Sequence, residues 1–584
     1  MEQEWLTGGT AAVDGAVIEG LGDLRRAPGA RVQTACEGPV GLAVVGDCPV
    51  TQKELRAALP AVQVCRWAEL TRWPGSYWVV ADNGRQRFVC GDLAGIRAVY
   101  YTLRGDEGAA WASQARLLEQ DKRLTPDLPL LAARLTVGEH HWPHRTPYEQ
   151  IRMVPGGFGL LLAPEAPPQL VDVTGVDPVD ELREGAVRFG QALTDAVQHR
   201  VRATGSVVGA DLSGGLDSSA AVVLAADAGT VHAVTYTDGY TSGEDMAFAS
   251  RIAEHTGARH TVASGGDEQL PFGFPAGQPS EAEPVMEAAM YAMDAAYLHP
   301  VQGLPLHLTG HGGDIVLDAS SSCWVRLLQD GYRREAHRQV AAFARLRNTA
   351  PGPYWKGLKQ SADLGRSGAL ERAAEALERG PLTPQKAAAG WSWCRLGAGA
   401  SWLTGQGRHE VAVLLRQAAD DQQQAEQADE FDQWAALRSV GASARGWAPY
   451  GQALSVRPVY PYLDNQVVRA AFAVPALARR GLVTYKPLLR AALPQLPDWL
   501  TSRRSKGSFT AQRIAGLARH RARLDELVHT SPLVASGLIE PTAVGTVLAQ
   551  AARGQSATAI ADLHQLLVMC WWLTGQPTVL GSPC

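Results

Sequence analysis

Ser213-Gly214-Gly215-Leu216-Asp217-Ser218-Ser219 is the stretch of this chain whose residue types could do the most chemistry. Two adjacent glycines open backbone conformations closed to other residues and remove side chains that would block a phosphate. Ser213, Ser218 and Ser219 add hydroxyl donors. Val207-Val208 ahead of the string and the run from Ala220 to about Ala226 behind it predict strand, loop and helix. Unpaired N–H groups at such a helix start, with their partial positive charge, make an anion cradle suited to pyrophosphate. An aspartate inside an anion cradle requires a cation, so Asp217 is a candidate Mg²⁺ ligand. The plain alternative is a Gly/Ser turn; the full string in strand–loop–helix context favours nucleotide binding. Gly-x-x-x-x-Gly-Lys-Ser/Thr occurs nowhere. A glycine loop without that lysine suits cleavage beside an α-phosphate better than transfer of a γ-phosphate.

The elements around the loop must hold it at a sheet edge. Asp227 and Gly229 close the helix, and His232 to Thr237 reads as the next strand. Alternating strand and helix predicts a parallel sheet with helices on both faces, and ligands bind beyond the carboxyl ends of its strands. Upstream, Leu182, Val187, Phe189, Leu193, Ala196 and Val197 mark one face of a helix. Ala163 to Asp177, rich in Pro and Asp, reads as a linker. The first 165 residues are strand-rich, with runs at Leu42–Val45, Tyr77–Ala81, Arg87–Cys90 and Ala98–Thr102. Beyond Asp330 the pattern is mostly helical, including a polar helix around Asp420 to Ala436.

The chain has 584 residues, enough for two to four domains. Its net charge of -5 argues against a dedicated nucleic-acid binder. No apolar run approaches the roughly 18 residues of a membrane span. The eight cysteines are scattered and form no C-x-x-C pair, as expected of reduced thiols. With no signal-peptide pattern, a soluble cytoplasmic protein is expected. His140-His141-Trp142-Pro143-His144 reads as loop histidines, because Pro143 interrupts the helix that would align a metal pair. Trp571-Trp572 reads as core, and Glu244-Asp245 as an acidic pair at a helix start.

The glycine loop resembles the pyrophosphate loop of the asparagine synthetase superfamily, and the resemblance continues through most of the chain. Thr309-Gly310-His311-Gly312-Gly313-Asp314-Ile315 is similar to the family's second signature, Ser-Gly-Glu-Gly-x-Asp-Glu. Pro461-Tyr462-Leu463-Asp464 is similar to its Pro-Phe-Leu-Asp, and Lys486-Pro487-Leu488-Leu489-Arg490 to its Lys-x-x-Leu-Arg. Arg504 to Phe509 resembles the basic segment that follows. The resemblance implies ATP and Mg²⁺ as cofactors. Leu212, Ser213, Gly214, Gly215, Asp217, Ser218, Ser219, Thr309 and Gly310 would bind the nucleotide, with Arg504 and Lys506 on a basic rim. Asp217 and Asp314 would be the Mg²⁺-associated carboxylates. Lys486 would stabilise charge developing during acyl transfer. A solvated surface lysine is the plain reading of Lys486; its place within Leu482, Val483, Leu488 and Leu489 favours a directed ammonium. His311 stands where the signature has glutamate, either as a base toward an incoming amine or packed on the nucleotide.

The front of the chain resembles the same family through Cys90 to Tyr101, Trp111-Ala112-Ser113-Gln114, and Thr146 to Gly157. In the family this is a glutamine amidohydrolase domain with an N-terminal cysteine. This sequence starts Met1-Glu2-Gln3, so that chemistry is expected to be absent. The implied fold is α/β: a degenerate Ntn-glutaminase-like αββα domain over 1–170, then a synthetase domain over 176–584. The latter would have an adenine-nucleotide α-hydrolase-like parallel sheet and a helical C-terminal part. Cyclases of lasso peptides share this layout. The implied reaction adenylates an Asp or Glu side chain of a precursor peptide and closes a macrolactam with the peptide's own amine. A leader peptidase and a leader-recognition protein would be partners, with no nucleic acid or membrane. A β-lactam synthetase-like enzyme, an ammonia-dependent asparagine synthetase and a non-catalytic scaffold are the alternatives. The presence of Asp217, Asp314 and Lys486 disfavours the scaffold.

Overall fold

A computed structural model describes residues 4–9, 15–103, 109–119, 124–164, 166–275, 277, 282–380, 382, 390–421, 427–503 and 507–576. The front of the chain forms two six-stranded antiparallel sheets. Strand Val40–Asp47 is buried along almost its whole length because both of its faces are covered. Leu42 and Val44 pack with Leu55, Leu59 and Val62 of the helix Gln52–Gln63. Ala43 and Val45 point the other way, against Leu6, Val99 and Trp111 of the second sheet. The far face of that sheet, with Tyr100, Ala110 and Ala112, packs with Leu130 and Leu131 of the helix Leu128–Val137. This is an αββα layering.

The rear of the chain is built on a five-stranded parallel sheet. Its strands are β1 (Val208–Asp211), β2 (Val231–Thr237), β3 (Arg259–Ser264), β4 (His307–Leu308) and β5 (Pro458–Val459). Their order across the sheet is β3-β2-β1-β4-β5, with β1 in the middle. Helices α1 (Leu182–Thr204), α2 (Leu216–Ala226) and α3 (Gly243–Thr256) accompany the first strands. The remainder is mostly helical and includes α4 (Ala428–Gly446), α5 (Pro487–Ala492) and α6 (Ile560–Thr574). The mixed α/β class, with a parallel sheet behind an antiparallel front, is the one expected. Among the described residues no helix is long and apolar enough to cross a membrane.

Several local expectations are corrected. Ala163 to Asp177 is not all linker, since Gln169–Asp172 adds an edge strand to a front sheet by pairing with Phe158–Leu162. Helix α2 begins at Leu216, four residues before Ala220, because Gly215 caps it. Val187 of α1 is 69% exposed, on the face away from Phe189, Leu193 and Val197. The polar helix near Asp420 is described only from Ala428, as α4, while 422–426 lie outside the described residues. The loop histidines His140 and His141 lie in a short turn, Glu139–His141, in contact with the Phe431 ring. Trp571 and Trp572 are core residues of α6. Among the described residues no group of three or more His, Cys, Asp or Glu is arranged to hold a metal ion.

The front and rear pack through buried polar bonds. Leu93 N–H donates to Asn465 Oδ1 at 2.9 Å. Arg200 of α1 ties Asp47 at 2.6 Å to Asp464 at 2.9 Å. Arg469 donates to Thr71 O at 2.5 Å and Val173 O at 2.9 Å. A buried histidine gives this core a pH response. His564 of α6 is 1% exposed, and its Nε2 donates to Met286 O at 2.9 Å. Burial, then Arg513, lowers its imidazole from 6.5 to about 4. The unfolded chain therefore binds a proton first as pH falls. The stabilisation is complete above 6.5, declines below it and is gone below about 4. We expect the urea midpoint to fall across that window. His564→Gln should remove up to about 1.4 kcal/mol per pH unit of the slope. Asp294, pushed up to about 7 chiefly by burial, works in the opposite direction. The comparison with the variant isolates the histidine.

Candidate active site

The glycine loop leaves the carboxyl end of β1, the central strand. Leu212 N–H donates to Val234 O of β2 at 2.8 Å, so the chain stays in register until the turn. Gly214 sits at φ +74°, and a Cβ there would lie 2.3 Å from Asp245 O; only glycine fits. Because α2 starts early, Asp217, Ser218 and Ser219 lie on its first turn rather than in the loop. Ser219 N–H makes the first helical bond, to Gly215 O at 3.1 Å, leaving the preceding amides at a helix N-terminus. Ser213 Oγ and Ser218 Oγ are 3.0 Å apart, and Ser213 N–H donates to Ser218 Oγ at 3.2 Å. Ser219 is fully buried, and its hydroxyl has no partner among the described residues.

The second segment enters from β4. Thr309 N–H donates to Val459 O at 3.0 Å, and Thr309 Oγ1 accepts His311 N–H at 3.2 Å. A Cβ at Gly310 would lie 2.6 Å from Ser218 N, and one at Gly313 would lie 2.5 Å from Asp217 Cγ. Gly310 thus lies against the Ser218 backbone and Gly313 against the Asp217 side chain, and this close approach requires glycine at both positions. Asp314 follows on the first turn of Gly313–Leu317 and is brought beside Asp217.

Lys486 closes the site from a third segment. It caps α5 in a left-handed conformation at φ +49° and is 2% exposed. Its Nζ donates to Asp217 Oδ1 and Oδ2 at 2.6 and 2.5 Å and to Asp314 Oδ1 at 2.7 Å. Burial alone would lower its pKa; the two carboxylates override it and hold the ammonium well above its ordinary value. Tyr462 OH donates to Asp217 O at 3.0 Å, and Tyr485 OH lies 3.5 Å from Asp314 Oδ1. Two carboxylates thus converge on one cation beside an N–H-rich loop. That donor set fits Mg²⁺, which takes one or two carboxylates plus substrate phosphate oxygens.

His311 lies at the rim. Its Nε2 faces Val440 O of α4 at 3.3 Å, and its ring stands 5.8 Å from that of Tyr460. A carbonyl only accepts, so Nε2 carries the proton and Nδ1 is the basic nitrogen. Arg504 and Lys506 lie outside the described residues. Their neighbour Arg503, which sequence reasoning passed over, donates to Gly214 O and Asp245 Oδ1 and stacks 4.4 Å from the Phe248 ring. It fixes the left-handed turn of the loop. Asp245 is therefore an ion-pair partner as well as an acidic residue near a helix start. Only the basic character of the segment hinted at this. We expect Arg503→Ala to cost about 3 kcal/mol in chemical denaturation, because it strands Asp245. It should also weaken ATP binding in calorimetry; unchanged binding would refute the loop-locking role.

Between the front sheets and the rear helices lies a cavity of about 610 Å³, lined by Trp391, Trp393, Phe431, Met569, Glu287 and Arg445 among others.

A parallel sheet with a glycine-lined anion loop, two carboxylates and a buried lysine defines a nucleotide-binding synthetase. The family model for asparagine synthase matches residues 188–574, more than half of the chain, and the chain belongs to the asparagine synthase family. Membership makes it an ATP-dependent ligase of the amide-forming type. No curated protein matches the chain.

Proposed function

We propose that this protein is an AMP-forming amide synthetase that closes a macrolactam in a precursor peptide. The observation that carries the reading is the convergence of Lys486, Asp217 and Asp314 beside the glycine loop. Mg²⁺, when bound, would neutralise phosphate charge there. Asp217 and Asp314 would hold it, and Ser213 to Ser218 would cradle the phosphates. An Asp or Glu side chain of the peptide attacks the α-phosphate, pyrophosphate leaves, and the carboxyl is activated as an acyl-adenylate. Lys486, released from the carboxylates, would neutralise the negative charge developing at phosphorus and then at the tetrahedral carbon. The peptide's own amine completes the amide, with AMP as leaving group. The cavity of about 610 Å³ supports a substrate larger than one amino acid. A leader peptidase would supply the free amine, and a leader-recognition protein would deliver the peptide.

The test is intact mass spectrometry of candidate core peptides with the full-length enzyme and Mg-ATP. The expected result is loss of one water from the peptide with stoichiometric AMP. Turnover of a small amino-acid derivative with no peptide dehydrated would overturn the peptide reading and favour a β-lactam synthetase-like enzyme. Asparagine formation from aspartate and ammonia would favour the asparagine synthetase reading.

A further inference from the structure

Glu287 is a carboxylate that the steps above leave unused. It lies in the turn Met286–Met290, ahead of the helix Tyr291–Leu298. One oxygen, Oε1, accepts the hydroxyl of Ser443 on α4. The other, Oε2, is buried and has no hydrogen-bond partner among the described residues. An oxygen left in that state costs about 1–3 kcal/mol, so a site that retains one calls for a reason. Glu287 and Ser443 both line the cavity. Two nearby carboxylates are engaged, while Glu139 shares the cavity wall with Glu287. Asp294 accepts Trp447 Nε1 at 3.1 Å, and Asp211 accepts Tyr297 OH at 3.0 Å and His307 Nε2 at 2.7 Å.

Helix α4 connects Glu287 to the reaction centre. Val440, which receives His311 Nε2, lies three residues before Ser443, so the two share one helix face. Burial pushes the Glu287 carboxyl above its ordinary value; the Ser443 hydroxyl, a backbone bond and the His311 imidazole pull it back. The link runs through α4, whose Val440 carbonyl holds the imidazole and whose Ser443 hydroxyl holds Glu287 at the cavity wall.

We propose that Glu287, held by Ser443, is the subsite for the acceptor amine: Oε2 takes the primary ammonium group that will attack the activated carboxyl. This rests on the reading above and adds to it the residue that recognises the nucleophile. A primary amine arrives protonated and has no lone pair to use. The ammonium passes one proton to Glu287 Oε2. The freed lone pair forms the C–N bond, and the carbonyl C–O bond to the phosphate breaks, its electrons leaving with AMP. The nitrogen's surplus proton passes to Nδ1 of His311. Glu287 returns to the carboxylate by releasing its proton to solvent.

Glu287→Gln keeps the size of the side chain and can still accept from Ser443, but it has no charge to hold an ammonium. The test compares two products of the full-length enzyme with Mg-ATP and core peptides bearing an Asp or Glu. One is the amide formed from a free-amine peptide. The other is the hydroxamate formed when the N-acetylated peptide is activated in the presence of neutral hydroxylamine. In E287Q we expect amide closure to fall about a hundredfold. The hydroxamate should fall far less, and Glu287→Asp should recover part of the closure. Closure by E287Q at the wild-type rate, or equal loss of both products, would overturn the subsite and leave the peptide reading standing. Absence of both products with the wild-type enzyme would overturn the peptide reading and the subsite together.

Discussion

Asp217→Ala is expected to lower amide formation by about a thousandfold while the protein still folds. Asp217 supplies two of the three oxygens that surround the Lys486 ammonium, at 2.6 and 2.5 Å. It is also the only carboxylate on the first turn of α2, directly after the glycine loop. Removing it takes away a cation ligand and turns the lysine toward Asp314 alone. The fold persists because Lys486 keeps that partner and α2 stays anchored by Leu216, Ala220 and Val223 in the core. The measurements are AMP release per peptide and the thermal unfolding midpoint. Turnover near wild type would show that Asp217 is only a structural partner of the lysine.

Lys486→Met is expected to have an effect as large, on two separate readouts. Amide formation should fall by about a thousandfold, because the ammonium that touches both carboxylates is gone. Stability should fall by about 3 kcal/mol, because the buried ammonium that binds both Asp217 and Asp314 is lost. That second effect provides a test that does not depend on turnover. With the ammonium gone, the space between the carboxylates is open to a divalent cation. Mg²⁺ alone should therefore raise the unfolding midpoint of Lys486→Met more than that of the wild type. Equal shifts would mean that the lysine and the metal do not compete for one position, and the assignment of the two carboxylates to Mg²⁺ would fall.

The two variants together separate positioning from charge. Asp217→Ala removes one carboxylate from the lysine, and Lys486→Met removes the ammonium from both carboxylates. If the triad acts as one unit, the double variant loses no more activity than either single change.

How much was legible in the sequence differs from residue to residue. The alternation of Val207-Val208, the glycine string and the following alanine-rich run pointed to strand, loop and helix, and the structure has those elements in that order. Leu216, Asp217 and Ser218 look like loop by composition, so the pattern starts α2 four residues later than the structure does. Gly215, in an extended conformation, is what begins the helix there. Val187 entered the helix face by its apolar character, yet it is exposed, since periodicity marks a face without saying how wide the buried stripe is. Residues 169–172 read as linker because Pro and Asp surround them. Their strand exists only because Phe158–Leu162 offers an edge to pair with.

By itself, the sequence determined the local chemistry of this protein: a glycine-hydroxyl loop between a strand and a helix, in a run of strands and helices that must form a parallel sheet. The reason is that turns, caps and periodicity depend on residues within a few positions of one another. The tertiary structure alone decided that Lys486 meets Asp217 across 269 residues and Asp314 across 172, buried and in a left-handed turn. It alone set Arg503 against Gly214, and Glu287 against Ser443 at the cavity wall. Those pairings depend on which strands are neighbours in the sheet and which helices pack beside it, and no local pattern encodes that.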